Sequence, residues 1–177
     1  MKILYITHYS ELYGANLSLL DLIISLKEDF DIEPVVLSPS YGNLQKVLDM
    51  NAIEHYEIKY YHWFHEVSLK GYLKHFYSFF YNRFCALQNV LREIEFDEVS
   101  FIHSNSSVIN IGALISNKLG LKHIWHFREF GKLDYNISHI FGKRFINNYY
   151  HKYASKVIFV SENLQRYYLS EKRSFKS

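Results

Sequence analysis

Short apolar runs alternate with amphipathic helical patterns along the chain, and this alternation constrains the fold more than any other feature. Residues 2–7 (Lys-Ile-Leu-Tyr-Ile-Thr) are short, β-branched and aromatic, and read as a buried strand. Residues 14–28 follow with Leu19, Leu22 or Ile23, and Leu26 at helical spacing. Residues 34–38 give a second strand, with a proline tolerable at its first position and Pro39 ending it. Residues 43–50 are a short helix, and residues 52–60 a strand nearer an edge. Residues 68–95 carry the longest helical pattern, with Leu69, Leu73, Phe76, Phe80, Leu87, Leu91 and Ile94 on one face. With Gly71 near its start, the segment is predicted to be one kinked helix or two. Residues 98–103 are a fourth strand, and 105–119 a helix closed by Gly120. Residues 122–127 are a fifth strand, 137–153 a helix and 156–160 a sixth strand. Ser161 then N-caps a last helix with Glu162 in its first turn.

Strands alternating with helices predict the α/β class: a doubly wound parallel sheet covered on both faces. Ligands of such sheets bind outside the carboxyl ends of the strands, where strand order switches direction. The segments to examine are therefore residues 8–16, 103–107, 126–131 and 161–162.

A chain of 177 residues, 49% of them hydrophobic, fits a single domain with a sizeable core. Twenty basic residues against 18 acidic ones leave a net charge of +2, too even to imply a nucleic-acid partner. The single cysteine, Cys85, excludes an intramolecular disulfide and a multi-cysteine zinc site and fits a reducing compartment. Lying in an apolar helical run, it is expected to be buried and inert. The first apolar run is too short for a signal peptide, and no stretch approaches the roughly 20 residues of a spanning helix, so the protein reads as cytoplasmic. Aromatic residues reach 18%, with 16 tyrosines and 14 phenylalanines that need a core or a contact surface.

Common enzyme signatures are missing. No Gly-x-Gly-x-x-Gly follows the first strand, and neither the Walker lysine motif nor Gly-x-Ser-x-Gly occurs. His62, His65 and Glu66 do not form His-Glu-x-x-His, and no metal site is predicted. The strand ends themselves are rich in polar residues. His103, Ser104, Asn105, Ser106 and Ser107 follow strand four, and His126, Arg128 and Glu129 follow strand five. Such clusters cost desolvation energy if they merely fill space. Asn105 or Ser106 also suits an N-cap, His126 a satisfied core histidine, and Arg128 with Glu129 a mutual ion pair. Gly14 stands at a helix start, where the backbone can approach a ligand and free N–H groups can meet a phosphate.

These residues resemble the start of retaining, "group one" GT-B glycosyltransferases. The resemblance rests on the opening strand, on Tyr13-Gly14-Ala15-Asn16 before a leucine-rich helix, and on His103-Ser104-Asn105-Ser106-Ser107. It rests further on Ile124-Trp125-His126-Phe127-Arg128-Glu129-Phe130 and Val157-Ile158-Phe159-Val160-Ser161-Glu162. It covers nearly the whole chain. Two positions depart from the pattern: Tyr13 stands for the family's first loop glycine, and Asn16 for its acidic residue.

The resemblance implies a Rossmann-like, acceptor-binding domain over residues 1–177, the N-terminal half of a GT-B architecture. The C-terminal donor-binding domain, with its Glu-x7-Glu pattern, is then absent from the sequence, and the chain alone is expected to be inactive. The implied activity is hexosyl transfer from a nucleotide-sugar donor to a saccharide or lipid-linked acceptor, in polysaccharide or glycolipid biosynthesis. A different doubly wound nucleotide- or phosphate-binding domain remains the alternative. Under the resemblance His126 is catalytic, Gly14 and Ala15 bind the donor phosphate, and Tyr13, His103, Asn105, Ser106, Arg128 and Glu129 line the acceptor side. No cofactor or metal is implied. The surplus of aromatic and basic residues between Tyr56 and Phe84 (Tyr72 and Phe79 beside Lys70, Lys74 and Arg83) suggests contact with a lipid-linked acceptor or with a membrane surface, peripherally on the inner face of the cell membrane.

Overall fold

The computed structural model describes residues 1–66, 68–130, 137–138 and 142–169. Six strands form one parallel sheet: β1 (Lys2–Ile6), β2 (Glu33–Ser38), β3 (Glu54–Glu57), β5 (Val99–Ser104), β6 (Lys122–Phe127) and β8 (Lys156–Phe159). Their spatial order is β3-β2-β1-β5-β6-β8. Helices α1 (Gly14–Phe30), α2 (Asn43–Met50), α3 (Leu69–Tyr81), α4 (Leu87–Glu93), α5 (Ile111–Leu119), α6 (Gly142–Tyr153) and α7 (Glu162–Leu169) connect them. The α/β, doubly wound arrangement is the predicted one. Every strand read from the sequence is present, and β3 lies at an edge as its alternating pattern implied.

Strand alternation sorts the core into two layers. Ile3, Tyr5 and Val36 pack against Leu19, Leu20 and Ile23 of α1 and Leu44 and Leu48 of α2. On the opposite face, Leu4, Ile6, Leu37, Ile102, Trp125 and Phe127 meet Val90, Ile111, Ile115, Tyr150 and Leu164 from the other helices. Each fully buried leucine or phenylalanine contributes about 2 kcal/mol by leaving water. α5 approaches β5 closely because residue 112 is glycine: a Cβ there would fall 2.2 Å from Ser104 Oγ and 3.0 Å from His123 Nε2. Those two groups bond to each other at 2.9 Å. His123 Nδ1 lies 3.1 Å from the Tyr153 carbonyl, so Nδ1 carries the hydrogen and Nε2 accepts from Ser104.

The structure corrects several sequence expectations. The stripe from Leu69 to Ile94 does not lie on one buried face. Leu69, Leu73, Phe76 and Phe80 are exposed, whereas Leu87, Val90 and Ile94 are buried. The cause is a π-helical turn, Asn82–Ala86, between α3 and α4. One extra residue in a turn rotates everything beyond it by about 100°. The inner face of α3 is instead polar. Asn82 bonds through its side chain to the backbone N–H and carbonyl of Tyr61 and donates to Asn110 Oδ1 at 2.9 Å. Gly71 lets the helix start close to β4 (His65–Glu66), since a Cβ would fall 1.9 Å from the Glu66 carbonyl. Cys85 lies on the π turn and is exposed, not buried.

The helix expected from residue 105 begins at Ile111, and neither Asn105 nor Ser106 caps it. The helix expected from residue 137 begins at Gly142, while β7 (Ile137–Ser138) pairs antiparallel with β4. Ser161 caps α7 as predicted, its Oγ accepting from Leu164 N–H at 3.2 Å. Gly131, part of one predicted site segment, lies outside the described residues. Among the described residues, no helix is long and apolar enough to cross a membrane.

Candidate functional site

The chain runs from β1 through β2 to β3 on one side and returns as β5, β6 and β8 on the other. Strand order therefore switches between β1 and β5. A cleft of about 710 Å³ opens at that point, lined by His8, Tyr9, Tyr13, Gly14, Ala15, His62, Val108, Arg128, Glu129 and Val160.

The loop from β1 to α1 makes the first wall. Thr7 Oγ donates to the Tyr9 carbonyl at 2.8 Å, and Asn16 Nδ2 donates to the Tyr9 and Glu11 carbonyls at 3.0 and 2.9 Å. An acidic side chain at residue 16 would have no hydrogen to give those carbonyls, which accounts for an amide at this position. The folded loop brings the start of α1 to the cleft. No side chain caps this helix, and its first turn holds no acidic residue. Its leading N–H groups and the positive end of its dipole are available to an anion. A Cβ on Gly14 would meet nothing within 4 Å, so the approach is open. His8 packs edge-on against Tyr9 at 4.1 Å, and its buried Nδ1 has no hydrogen-bond partner. Burial, with help from His62 and Arg128, lowers its pKa to about 3.

The second wall follows β5 and β6. Asn105 donates from its backbone to the Ile6 carbonyl at 2.8 Å and from Nδ2 to the Ala15 carbonyl at 3.1 Å. Its Oδ1 accepts from Arg128 Nε at 2.7 Å. One buried side chain thus ties the start of α1 to the guanidinium. The Glu129 carboxylate is buried and accepts from the hydroxyl of Ser106, and from Ser107 N–H at 2.9 Å and Ser107 Oγ at 3.1 Å. Burial raises the Glu129 pKa, opposed by those donors. The two tryptophans hold this loop from beneath. Trp125 Nε1 donates to the Ser106 carbonyl at 2.8 Å, and Trp63 Nε1 to the Ser107 carbonyl at 2.9 Å. Tyr150 Oη donates to that same Ser107 carbonyl at 2.9 Å.

His126 lies 3.5 Å from Arg128 through its Nδ1 and stacks on His103 at 5.5 Å. Burial first, then Arg128, lowers the His126 pKa to about 4. Burial, then His126 and Arg128, lowers that of His103 to about 3. Among the described residues that line the cleft, Arg128 is the fixed cation, and the imidazoles of His8, His126 and His103 near it are uncharged at neutral pH. An anion would meet Arg128 and the start of α1, and the imidazoles can exchange hydrogen bonds with a neutral ligand.

Of the residues singled out in the sequence, Tyr13, Gly14, Ala15, Arg128 and Glu129 line the cleft. His126 contacts Arg128, and His103 lies against His126. Asn105 and Ser106 are fully buried and bonded within the protein, so they position other groups. Arg128 and Glu129 do not pair through their side chains: the guanidinium is held by Asn105, and the carboxylate by the serines. Sequence reasoning placed His8 and Tyr9 in a segment to examine (8–16) without singling them out, and did not assign His62, Val108 or Val160 to the cleft. His8 directly follows a buried central strand, a usable signal. His62 comes from a loop 54 residues away, its Nε2 donating to the His8 carbonyl at 3.0 Å, and no local pattern marks it. Among the described residues, no group of three or more His, Cys, Asp or Glu is placed to hold a metal ion.

No family model and no curated protein sequence matches the chain. Solved structures do. HepE from Anabaena in complex with UDP-glucose superposes with a TM-score of 0.70 at 18% identity, over 98% of this chain and 41% of HepE. A glycosyltransferase from Rickettsia africae gives 0.59 at 20% identity, over 95% of this chain and 38% of that one. MurG from Acinetobacter baumannii gives 0.53 at 13% identity, over 89% of this chain and 40% of MurG. The chain thus spans about two fifths of the length of each of these proteins, between 38% and 41%. At such identities the likeness is one of fold: the chain has the α/β, Rossmann-like architecture of one half of a GT-B glycosyltransferase.

Proposed function

We propose that these residues form the N-terminal, acceptor-binding half of a glycosyltransferase, which moves a sugar from a nucleotide-sugar donor to a saccharide or lipid-linked acceptor in polysaccharide or glycolipid assembly. One observation carries this reading. The uncapped start of α1 and the Arg128 guanidinium face one cleft at the switch point of the sheet, joined through Asn105. When the bond between the sugar's anomeric carbon and the phosphate oxygen breaks, negative charge grows on the departing diphosphate. N–H groups of Gly14 and Ala15, fixed in advance, stabilise that charge at no further ordering cost. His126, neutral and beside Arg128, hydrogen-bonds to the transferred sugar. Tyr13 and Arg128 face the acceptor, while His103, Asn105, Ser106 and Glu129 hold that wall in place. HepE is recorded with UDP and with UDP-glucose, which supports a nucleotide sugar as donor; the second half of a GT-B pair would hold most of it.

In the complete natural polypeptide, His126→Ala should lower kcat for transfer by about 100-fold, with the unfolding midpoint unchanged. Unaltered transfer removes His126 from the site. Turnover of any nucleotide sugar by the 177-residue chain alone refutes its assignment as one half of the enzyme.

The exposed face of α3 and the π turn gives the same proposal a place in the cell. Leu69, Leu73, Phe76, Phe80 and Phe84 point outward. The segment from Leu69 to Ala86 holds Lys70, Lys74 and Arg83 and no acidic residue. Apolar side chains flanked only by cations match an anionic lipid surface, the inner face of a cell membrane. Co-sedimentation with vesicles containing phosphatidylglycerol, absent with phosphatidylcholine alone, is the expected result; no binding to the anionic vesicles refutes it.

A further inference from the structure

A second recess, of about 480 Å³, adjoins the cleft on the side of α3. His8 and His62 belong to both, so one ligand can run from the first into the second. Its far wall is made by Tyr61, His65, Lys74, Tyr77 and Ser78. We propose that this recess is an acceptor subsite for a pyranose carrying an anionic group, a carboxylate or a phosphate.

Charge carries the first step. Among the described residues, no acidic side chain lines the recess and Lys74 makes no ion pair. An ammonium facing a recess without a counter-ion selects an anion. Ring chemistry carries the second. Tyr61 meets Tyr77 edge-on at 5.5 Å and Tyr81 at 5.0 Å, and Tyr77 stacks on Tyr81 at 5.8 Å. The tyrosines therefore form a prepared wall, although Tyr77 is 58% exposed. A phenol offers an apolar face with a hydroxyl at one end. A pyranose has the matching form, a C–H-rich face bordered by hydroxyls. Polar groups at hydrogen-bonding depth complete the site. His65 Nε2 and Ser78 Oγ stand 2.9 Å apart. His62 gives its Nε2 hydrogen to the His8 carbonyl, which leaves Nδ1 as an acceptor for a sugar hydroxyl. The volume lies within the few hundred to about 1,000 Å³ typical of small-molecule sites.

Calling the pyranose an acceptor rests on the transferase reading; the recess and its ligand chemistry do not. The test titrates the complete polypeptide, isotope-labelled, with D-glucuronate, D-glucose 1-phosphate, D-glucose and inorganic phosphate, following the ring signals of His65 and Tyr77 by NMR. One of the anionic sugars should bind at least tenfold more tightly than glucose. Lys74→Ala should abolish that preference and Lys74→Arg retain it. A response to glucuronate alone identifies an acidic glycan as the source, and one to glucose 1-phosphate alone a sugar-phosphate headgroup. Equal binding of glucose, equal binding of inorganic phosphate, or an unchanged preference in Lys74→Ala overturns the subsite. Turnover of a panel of nucleotide sugars by the same polypeptide reports separately on the transferase reading. Lys74-dependent sugar binding without turnover breaks that reading alone, and turnover without Lys74-dependent binding breaks the subsite alone.

Discussion

In the wall of the cleft that follows β5 and β6, serine, asparagine and glutamate side chains are bonded within the protein, whereas the wall that follows β1 leaves the backbone donors at the start of α1 facing the cleft. Ser106, Ser107, Asn105 and Glu129 are buried, and each is hydrogen-bonded within the protein. Two indole N–H groups and a tyrosine hydroxyl anchor the same loop from the core side. By contrast, α1 starts without a side-chain cap and Gly14 faces open space. The β5–β6 wall is a scaffold and the β1 wall is a receptor. A satisfied buried network is rigid, and a rigid wall can hold Arg128 opposite a helix start whose donors wait for a ligand.

Removing the centre of the scaffold is the most severe way to break this comparison. Glu129→Ala leaves the Ser106 hydroxyl, the Ser107 hydroxyl and the Ser107 N–H without their buried acceptor. The expected loss is about 3 kcal/mol of unfolding free energy, the scale of several orphaned donors partly relieved by removal of a buried carboxylate. Glu129→Gln keeps an oxygen at Oε1 and should lose only about 1 kcal/mol. Urea unfolding measures both. If the two variants lose equally little, the serines find other partners and the β5–β6 wall is not a network.

Much of this architecture was legible in the sequence because buried parallel strands announce themselves as short apolar runs. The residues of β6 and α2 were read with their observed bounds, and Ser161 was read as a cap. Gly14 at a helix start, the polar residues after Ser104 and those after Phe127 marked three edges of the cleft. What the sequence hid has physical causes. Helical periodicity assumes a constant turn, so the π segment at Asn82–Ala86 was invisible, and residues on either side of it were placed on one face. Polar residues after a strand look alike whether they satisfy one another or await a ligand, so Asn105 and Ser106 were grouped with the cleft's lining. The tryptophans gave no hint of their task, because the carbonyls that accept from them sit 44 residues from Trp63 and 19 from Trp125. Strand order, which places β1 beside β5 and creates the switch point, is a property of the assembled sheet alone.

The smallest expected effect tests the receptor wall. Gly14→Ala adds a methyl group where a Cβ meets nothing within 4 Å, and Gly14 is not among the residues with positive φ. Alanine also narrows the unfolded ensemble and favours helix, so unfolding free energy should rise by about 0.5 kcal/mol rather than fall. The backbone N–H survives the change, so contacts that use it survive too. Larger side chains grow toward the cleft, and Gly14→Phe should likewise leave stability within about 0.5 kcal/mol while blocking whatever docks on the start of α1. Thermal unfolding of both variants decides the matter. A loss above 1 kcal/mol in Gly14→Ala would mean that this loop is packed as tightly as the wall opposite, and that the two sides of the cleft do not divide the work.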